Sequence, residues 1–158
     1  MKPQPHEYYF EKAAEQARVA SCLRSKCGAV VVDASGEIIG IGYNAPPLGD
    51  ETLRRCNESL DLSVKPKYDK TCCVHAEWNA ILDALKKYGE RIDGGTLYFM
   101  RVDDDGKWTD AGKPFCTTCS RLAAQSGLKS FALWVDNKPK LYDVADYNIE
   151  SYKYYDII

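Results

Sequence analysis

The pattern of apolar and polar positions along the chain predicts helices that alternate with short strands. Helical spacing of small and apolar residues, or helix end signals, marks four segments, at residues 8–20, 75–85, 116–125 and 147–158. Apolar, β-branched runs between turn residues predict strands at 28–32, 38–43, 96–102 and 130–135. Because strands and helices alternate, we expect a three-layer α/β domain.

Two segments lack both periodicities and are predicted to be loops. Residues 48–72 are polar and irregular, and loops of that length are usually functional or disordered. Residues 107–115 form the second predicted loop, after a turn at 103–106. No repeat or strong linker interrupts the pattern, so we expect residues 1–158 to form a single domain.

Composition and charge narrow the classes of partner. The 158 residues are 45% hydrophobic and 28% charged, which is typical of a globular domain with a real core. The formal net charge of -2 argues against a polynucleotide partner, since such proteins usually carry excess lysine and arginine on one face. No run resembles a signal peptide or reaches the length of a membrane span, which favours a cytoplasmic protein with no membrane partner.

The chain has seven cysteines, which is many for a cytoplasmic protein. They are Cys22, Cys27, Cys56, Cys72, Cys73, Cys116 and Cys119. Their odd number excludes complete internal disulfide pairing. Metal ligation or buried thiols are therefore favoured over a disulfide scaffold.

Two short motifs, HAE at residues 75–77 and CTTC at residues 116–119, indicate chemistry when they are taken together. Alone, a histidine at a helix start is more often structural, and a CxxC pair could be a thioredoxin-like redox site. Together, one imidazole and two thiolates suit zinc and leave a fourth position for water. We therefore predict a Zn²⁺ site formed by His75, Cys116 and Cys119, in which zinc makes the water a better nucleophile.

Glu77 lies two residues after the predicted histidine ligand, in the first turn of a helix. There its carboxylate can face the water without binding the metal, take its proton, and deliver protons to a ring nitrogen and a leaving ammonia. The alternative is a structural zinc site without catalysis, but structural sites usually have four protein ligands. We therefore expect Glu77 to be a catalytic proton shuttle.

Four segments resemble, in order and spacing, those of the cytidine and deoxycytidylate deaminase superfamily: SCLRSKCGAVVV, GYNAPPLG, CVHAEWNAIL and CTTC. The resemblance is strongest to the deoxycytidylate branch. It implies an α/β/α fold with a five-stranded mixed sheet and both metal motifs at helix N-termini. It also implies a zinc-dependent enzyme that hydrolyses deoxycytidylate to deoxyuridylate and ammonia, and a homo-oligomer.

The resemblance further implies substrate contacts. Asn44 would hydrogen-bond the sugar, Ala76 would offer its backbone to the pyrimidine edge, and Asn79 could also face the pocket. Arg24 precedes the hairpin in a family-like stretch and is the candidate partner of a 5′-phosphate. The other cations that flank the predicted site are Arg18, Lys26, Arg54 and Arg55.

One departure from the family pattern concerns the pocket. The family usually has proline directly before the first cysteine of the CxxC pair, whereas Phe115 separates Pro114 from Cys116 here. The connection over residues 102–115 is also longer than usual. Phe115 could line the pocket or pack as a core aromatic residue, so the substrate stays open.

Some members of the family carry a second, structural zinc. The candidate ligands here are Cys22, Cys56 and Cys72. The alternatives to Cys22 and Cys72 are Cys27 and Cys73, and the candidate fourth ligands are His6 and Glu58. The other interpretation is a set of buried free thiols, because cysteine is among the most buried residue types.

Three functions remain open. The first is deamination of a cytosine nucleotide, and the second is deamination of another small base, a nucleoside, or a pterin or riboflavin precursor. The third is a zinc-stabilised binding module without turnover.

Overall fold

A mixed β-sheet with helices on both faces forms the body of the protein, whose computed structural model describes residues 2–57, 61, 63 and 71–158. The helices are α1 (His6–Arg18), α2 (Ala76–Tyr88), α3 (Thr117–Gln125) and α4 (Val144–Lys153). The strands are β1 (Lys26–Val32), β2 (Ile38–Tyr43), β3 (Thr96–Val102), β4 (Trp108–Thr109), β5 (Ser130–Val135) and β6 (Lys138–Asp143). Short 3₁₀ helices span Pro47–Gly49, Glu51–Leu53 and Gly89–Ile92.

The sheet has the strand order β2-β1-β3-β5-β6, and the short strand β4 pairs with β3. Strands β3 and β5 are parallel, and the other pairings are antiparallel. Side chains of β3 alternate between the faces, so Leu97 and Phe99 pack with α2 while Tyr98 and Met100 pack with α1. The predicted three-layer α/β/α fold with a mixed sheet is confirmed.

None of the helices in the described ranges is long and apolar enough to cross a membrane.

Two strands depart from the prediction made from periodicity. Strand β4 lies inside the predicted loop 107–115, where its two residues pair with the last two residues of β3. Strand β6 follows a tight turn in which Asp136 and Asn137 both have positive φ. Its sequence, KPKLYD, is largely exposed at the edge of the sheet, so it lacks the apolar alternation that would have revealed it.

The last helix also differs from the prediction over residues 147–158. It begins at Val144 and ends at Lys153. The Asp143 carboxylate accepts a hydrogen bond of 2.9 Å from the backbone N–H of Ala145. This N-cap satisfies a free donor of the first turn and accounts for the earlier start.

Glycines in β2 allow α2 to pack closely on the sheet. A Cβ atom at Gly40 would overlap the backbone of Ala80, and one at Gly42 would overlap the backbone of both Ala76 and Ala80. The absence of these two side chains brings the first turns of α2 against the strand. The position of Ala76, and with it the residues on either side, therefore depends on Gly42.

We expect Gly42→Ala to lower the free energy of unfolding by about 1–3 kcal/mol, the usual cost of forcing extra atoms into a packed interior. Thermal or urea unfolding measures this change. The matched control is Ile41→Ala on the same strand, since the side chain of Ile41 is 43% exposed. Equal stability of the Gly42→Ala variant and the wild type would show that α2 can shift without cost.

Candidate active site

His75, Cys116 and Cys119 come together although 41 residues separate the first two. His75 is the residue before α2 and Cys116 the residue before α3, while Cys119 lies in the first turn of α3. The Nδ1 atom of His75 lies 3.1 Å from the Cys119 Sγ and 3.5 Å from the Cys116 Sγ. Among the described residues, this is the one group of three potential metal ligands whose atoms all lie within 4.8 Å of one another.

The two thiols differ in their proton affinity. A hydrogen bond from Cys119 lowers the pKa of Cys116 to about 4, despite burial, and His75 adds to the effect. The backbone N–H of Cys119 also donates to the Cys116 Sγ at 3.3 Å, as at a helix N-cap. Burial raises the pKa of Cys119. Cys116 is thus the thiol that ionises first.

The three side chains fit a zinc ion. Tetrahedral zinc with ordinary bond lengths to nitrogen and sulfur holds its ligand atoms roughly 3.5 Å apart, close to the separations found here. The ring of His75 stacks on Trp78 with a centroid distance of 4.4 Å and an interplanar angle of 7°. This stacking keeps Nδ1 turned toward the two thiols.

Glu77 is a buried carboxyl group in the first turn of α2, only 7% exposed. Burial raises the pKa of Glu77 to about 7, and the negative charge of Cys116 adds to this shift. Its side chain lines the same cavity as His75 and Cys116. An acid so placed can both accept and release a proton near neutral pH.

A cavity of about 240 Å³ opens beside these groups. It is lined by Cys22, Arg24, Ser25, Cys27, Asn44, Thr71, Cys73, His75, Ala76, Glu77, Phe99, Arg101, Phe115 and Cys116. Glu77 is the carboxylate of this lining, and Arg24 and Arg101 are its cations. The structure therefore brings six residues predicted for the active site around one space: Arg24, Asn44, His75, Ala76, Glu77 and Cys116.

Asn44 lines the cavity, but its amide is already engaged. Its Oδ1 accepts from the backbone N–H of Cys27 at 2.9 Å, and its Nδ2 donates to the carbonyl of Ser25 at 2.9 Å. These bonds fasten the end of β2 to the start of β1. Any sugar contact by Asn44 would use the second lone pair of Oδ1 or the second N–H of the amide.

Asn79 does not line this cavity, so the expectation that it faces the pocket is corrected. Its Nδ2 donates to the carbonyl of Tyr43 at 2.8 Å, and its side chain borders a separate surface depression. The physical reason is the direction of its side chain, which points at β2 while His75 points at α3.

Phe115 lines the cavity and is half-buried, with its ring 5.9 Å from that of Tyr154. It is therefore a pocket residue, one of the two alternatives that the sequence left open.

Most of the other candidate cations are engaged elsewhere. Arg18 pairs with Glu11, and Arg54 pairs with Glu51. The guanidinium of Arg55 donates to backbone carbonyls. Lys26 borders a neighbouring depression instead of the cavity.

The remaining cysteines, apart from Cys27, form two pairs, and a hydrogen bond between the side chains of Cys72 and Cys73 links one pair to the other. The backbone N–H of Cys56 donates to the Sγ of Cys72 at 3.3 Å, and that of Cys72 donates to the Sγ of Cys56 at 2.8 Å. A hydrogen bond with Cys73 lowers the pKa of Cys22 to about 5. Cys22, Cys56 and Cys72 thus approach one another as parts of two pairs, and the described residues do not gather them into one compact ligand group.

The two suggested fourth ligands do not complete that group. His6 contacts the hydroxyl of Tyr98 at 2.7 Å through its Nδ1. Glu58 lies outside the described residues.

Sequence reasoning missed Arg101. It occupies the position after Leu97 and Phe99 in the row of β3 side chains that faces α2. A charged residue that continues a buried row at alternate positions is the signal that could have identified it.

The chain matches proteins of known family. The profile of a family described as "Cytidine and deoxycytidylate deaminase zinc-binding region" matches residues 3–134. A deoxycytidylate deaminase of Mycobacterium phage D29 is 35% identical over 136 residues, which are 81% of this chain and 92% of the phage protein. A human deoxycytidylate deaminase is 30% identical over 82% of this chain, which matches 64% of the human protein.

A solved structure has the same fold. The dCMP deaminase of cyanophage S-TIM5, in complex with dCMP and dUMP, is 30% identical with a TM-score of 0.58. The match covers 83% of this chain and 81% of the cyanophage chain.

Proposed function

We propose, since the chain belongs to the cytidine and deoxycytidylate deaminase family, that it hydrolyses deoxycytidylate to deoxyuridylate and ammonia. The observation that carries this proposal is the convergence of the His75, Cys116 and Cys119 ligand group with the buried Glu77 at one cavity. The names of the phage and human relatives and the dCMP and dUMP bound by the cyanophage protein support the choice of substrate.

His75, Cys116 and Cys119 would hold the zinc that the family binds. Zinc bound there supplies a Lewis acid that makes a water molecule acidic enough to attack at neutral pH. Three protein ligands are the number that catalytic zinc sites use, and two of these ligands, His75 and Cys116, line the cavity.

The carboxylate of Glu77 would move the protons of the reaction. It takes a proton from the attacking water and passes it to N3 of the cytosine ring as the C4–O bond forms. It then carries the second water proton to the amino group, so that the C4–N bond breaks and ammonia leaves. Burial of Glu77 near the ligand group favours this role, because proton transfer needs an acid whose pKa is near the working pH.

The cavity also supplies positions for the rest of the substrate. Ala76 lines it next to Glu77, so its backbone can meet the pyrimidine edge. Asn44 is proposed to contact the sugar, and Arg24 the 5′-phosphate, because Arg24 is an exposed cation of the cavity lining.

Two alternatives predict different results. A deaminase for another base or nucleoside would release ammonia from that compound and not from deoxycytidylate. A zinc-stabilised binding module would bind its ligand without any turnover.

Replacing the proposed proton shuttle should separate binding from chemistry. We expect Glu77→Gln to bind zinc and to lower kcat for deoxycytidylate by about 100- to 10,000-fold, the usual contribution of a general acid–base group. Zinc content and ammonia release are the measurements, and Glu90→Gln, an exposed carboxylate beyond the same helix, is the control. Cys119→Ser should instead lose the metal. Near-normal turnover by Glu77→Gln would reassign the shuttle.

Arg24→Lys should weaken recognition of the phosphate, since the ammonium group of lysine does not reproduce a two-pronged guanidinium contact. We expect KM to rise for deoxycytidylate relative to KM for deoxycytidine. The control is Arg55→Lys, whose side chain does not line the cavity. A nucleotide preference that survives Arg24→Lys would place the phosphate elsewhere.

A second, structural zinc held by Cys22, Cys56 and Cys72 is also proposed, with Cys73 as the additional thiol that the two pairs supply. Zinc could join the pairs because thiolates are its preferred soft ligands. Such a site would fasten Cys56 and Cys72, which belong to the predicted loop 48–72, to the segment just before β1.

If this zinc exists, Cys56→Ser should lower the zinc content from about two to about one per chain and lower the melting temperature, because structural zinc stabilises the folded state. Metal analysis and thermal unfolding test this. Unchanged values for both would favour free thiols at these positions.

Three expectations stay predictions: one domain over residues 1–158, a homo-oligomer, and a cytoplasmic location. Exposed apolar side chains on α2 and its neighbourhood, including Leu82 at 42% and Leu48 at 92% exposure, support the homo-oligomer.

A further inference from the structure

Arg101 is a half-buried cation beside the proposed catalytic groups. It lies on β3 opposite Cys27 of β1, and it continues the row of Leu97 and Phe99 that faces α2. Its side chain lines the same cavity as Glu77. The register of the sheet therefore fixes the backbone of Arg101 opposite Cys27, and its side chain forms part of the cavity wall.

Within the part of the chain that the structure describes, Arg101 forms no ion pair, and its positive charge is only the weakest of the influences on the pKa of Glu77. By contrast, Arg18, Arg54 and Arg91 each form an ion pair there. The Nε of Arg101 is buried and lacks a hydrogen-bond partner among the described residues. Partly buried charged groups are normally paired, because removing a charge from water has a large desolvation free energy.

The surroundings of Arg101 do not supply that pairing. Its guanidinium carbon lies 5.9 Å from the ring centroid of Phe99. The thiol of Cys27 is a polar neighbour, but a neutral thiol is a weak acceptor and carries no charge, and burial raises the pKa of Cys27. The fork of donors on Arg101 is thus suited to an anion that enters the cavity.

The distribution of charge around Arg101 indicates where such an anion would lie. Arg24 and Arg101 line both the cavity and a neighbouring depression, so they stand at the boundary between them. The outer depression carries the carboxylates of Asp103, Asp104 and Asp110. These repel an anion on the outer side, so the favourable position is the inner side, between the two arginines.

We propose that Arg101 binds the phosphate of the substrate together with Arg24 and so determines the preference for nucleotide over nucleoside. This inference rests on the proposed function, because it takes a cytidine monophosphate as the substrate. With the ring at Ala76 and Glu77, this proposal places the phosphate beside Arg24 and Arg101, the two arginines of the described cavity lining. Planar guanidinium forks match phosphate oxygens better than ammonium groups do.

The test compares kcat/KM for deoxycytidylate with kcat/KM for deoxycytidine in the zinc-loaded enzyme. R101Q should lower the ratio of the two by about 10- to 100-fold, the loss expected when charge-assisted hydrogen bonds to one anion are removed. R101K should lower it less. K107Q removes a positive charge from an exposed position on the same hairpin and should leave the ratio at its wild-type value.

Binding of the products provides a readout without turnover. Calorimetry should show that R101Q weakens the binding of dUMP far more than the binding of deoxyuridine. If R101Q melts below the assay temperature, the same two measurements on R101K decide: a lowered ratio supports the proposal, and wild-type values overturn it.

The possible failures are distinguishable. If the wild-type enzyme releases no ammonia from deoxycytidylate, the proposed function fails first. If the wild type prefers deoxycytidylate and R101Q or R101K keeps the full preference, the function stands and the role of Arg101 is wrong. Equal losses for nucleotide and nucleoside would assign Arg101 to the support of the pocket wall and would also overturn the proposal.

Discussion

The N-termini of α2 and α3 lie side by side, and the zinc ligand group exists only in that arrangement. His75 precedes one helix and Cys116 the other, so neither motif can form the group alone. The positive ends of the two helix dipoles favour thiolate at this place, in agreement with the low pKa of Cys116. The position of α2 in turn depends on Gly40 and Gly42, which let its backbone approach β2.

The charge of the cavity lining is opposite in sign to the net charge of the chain. The formal net charge is -2, yet the described residues give the lining two arginines and one carboxylate, and burial raises the pKa of that carboxylate. Desolvating Arg101 lowers stability unless an anion compensates, and such costs are commonly found at functional sites. A small acidic protein can thereby present a local basic surface to a single phosphate without attracting nucleic acid in general.

The cysteines outside the ligand group have a different organisation. Two reciprocal N–H···S hydrogen bonds join Cys56 to Cys72, and a further contact joins Cys22 to Cys73. Cys22 and Cys73 also line the cavity, so this cluster connects Cys56 and Cys72 of the predicted loop 48–72 to the cavity. Whether thiols or zinc hold the cluster together, a change there would be transmitted to the cavity wall.

The sequence by itself identified the candidate metal ligands, the candidate proton shuttle and most of the fold. The HAE motif and the CxxC pair can be identified from residues that are close together in the sequence. Buried strands such as β3 can be predicted from their apolar runs. The edge strand β6 could not, because its exposed face carries no such pattern. Only the tertiary structure decided that Asn79 points at β2, that the cysteines pair as they do, and that Arg101 faces the cavity. These depend on strand register and on the rotation of each helix against the sheet, which arise from contacts between residues distant in sequence.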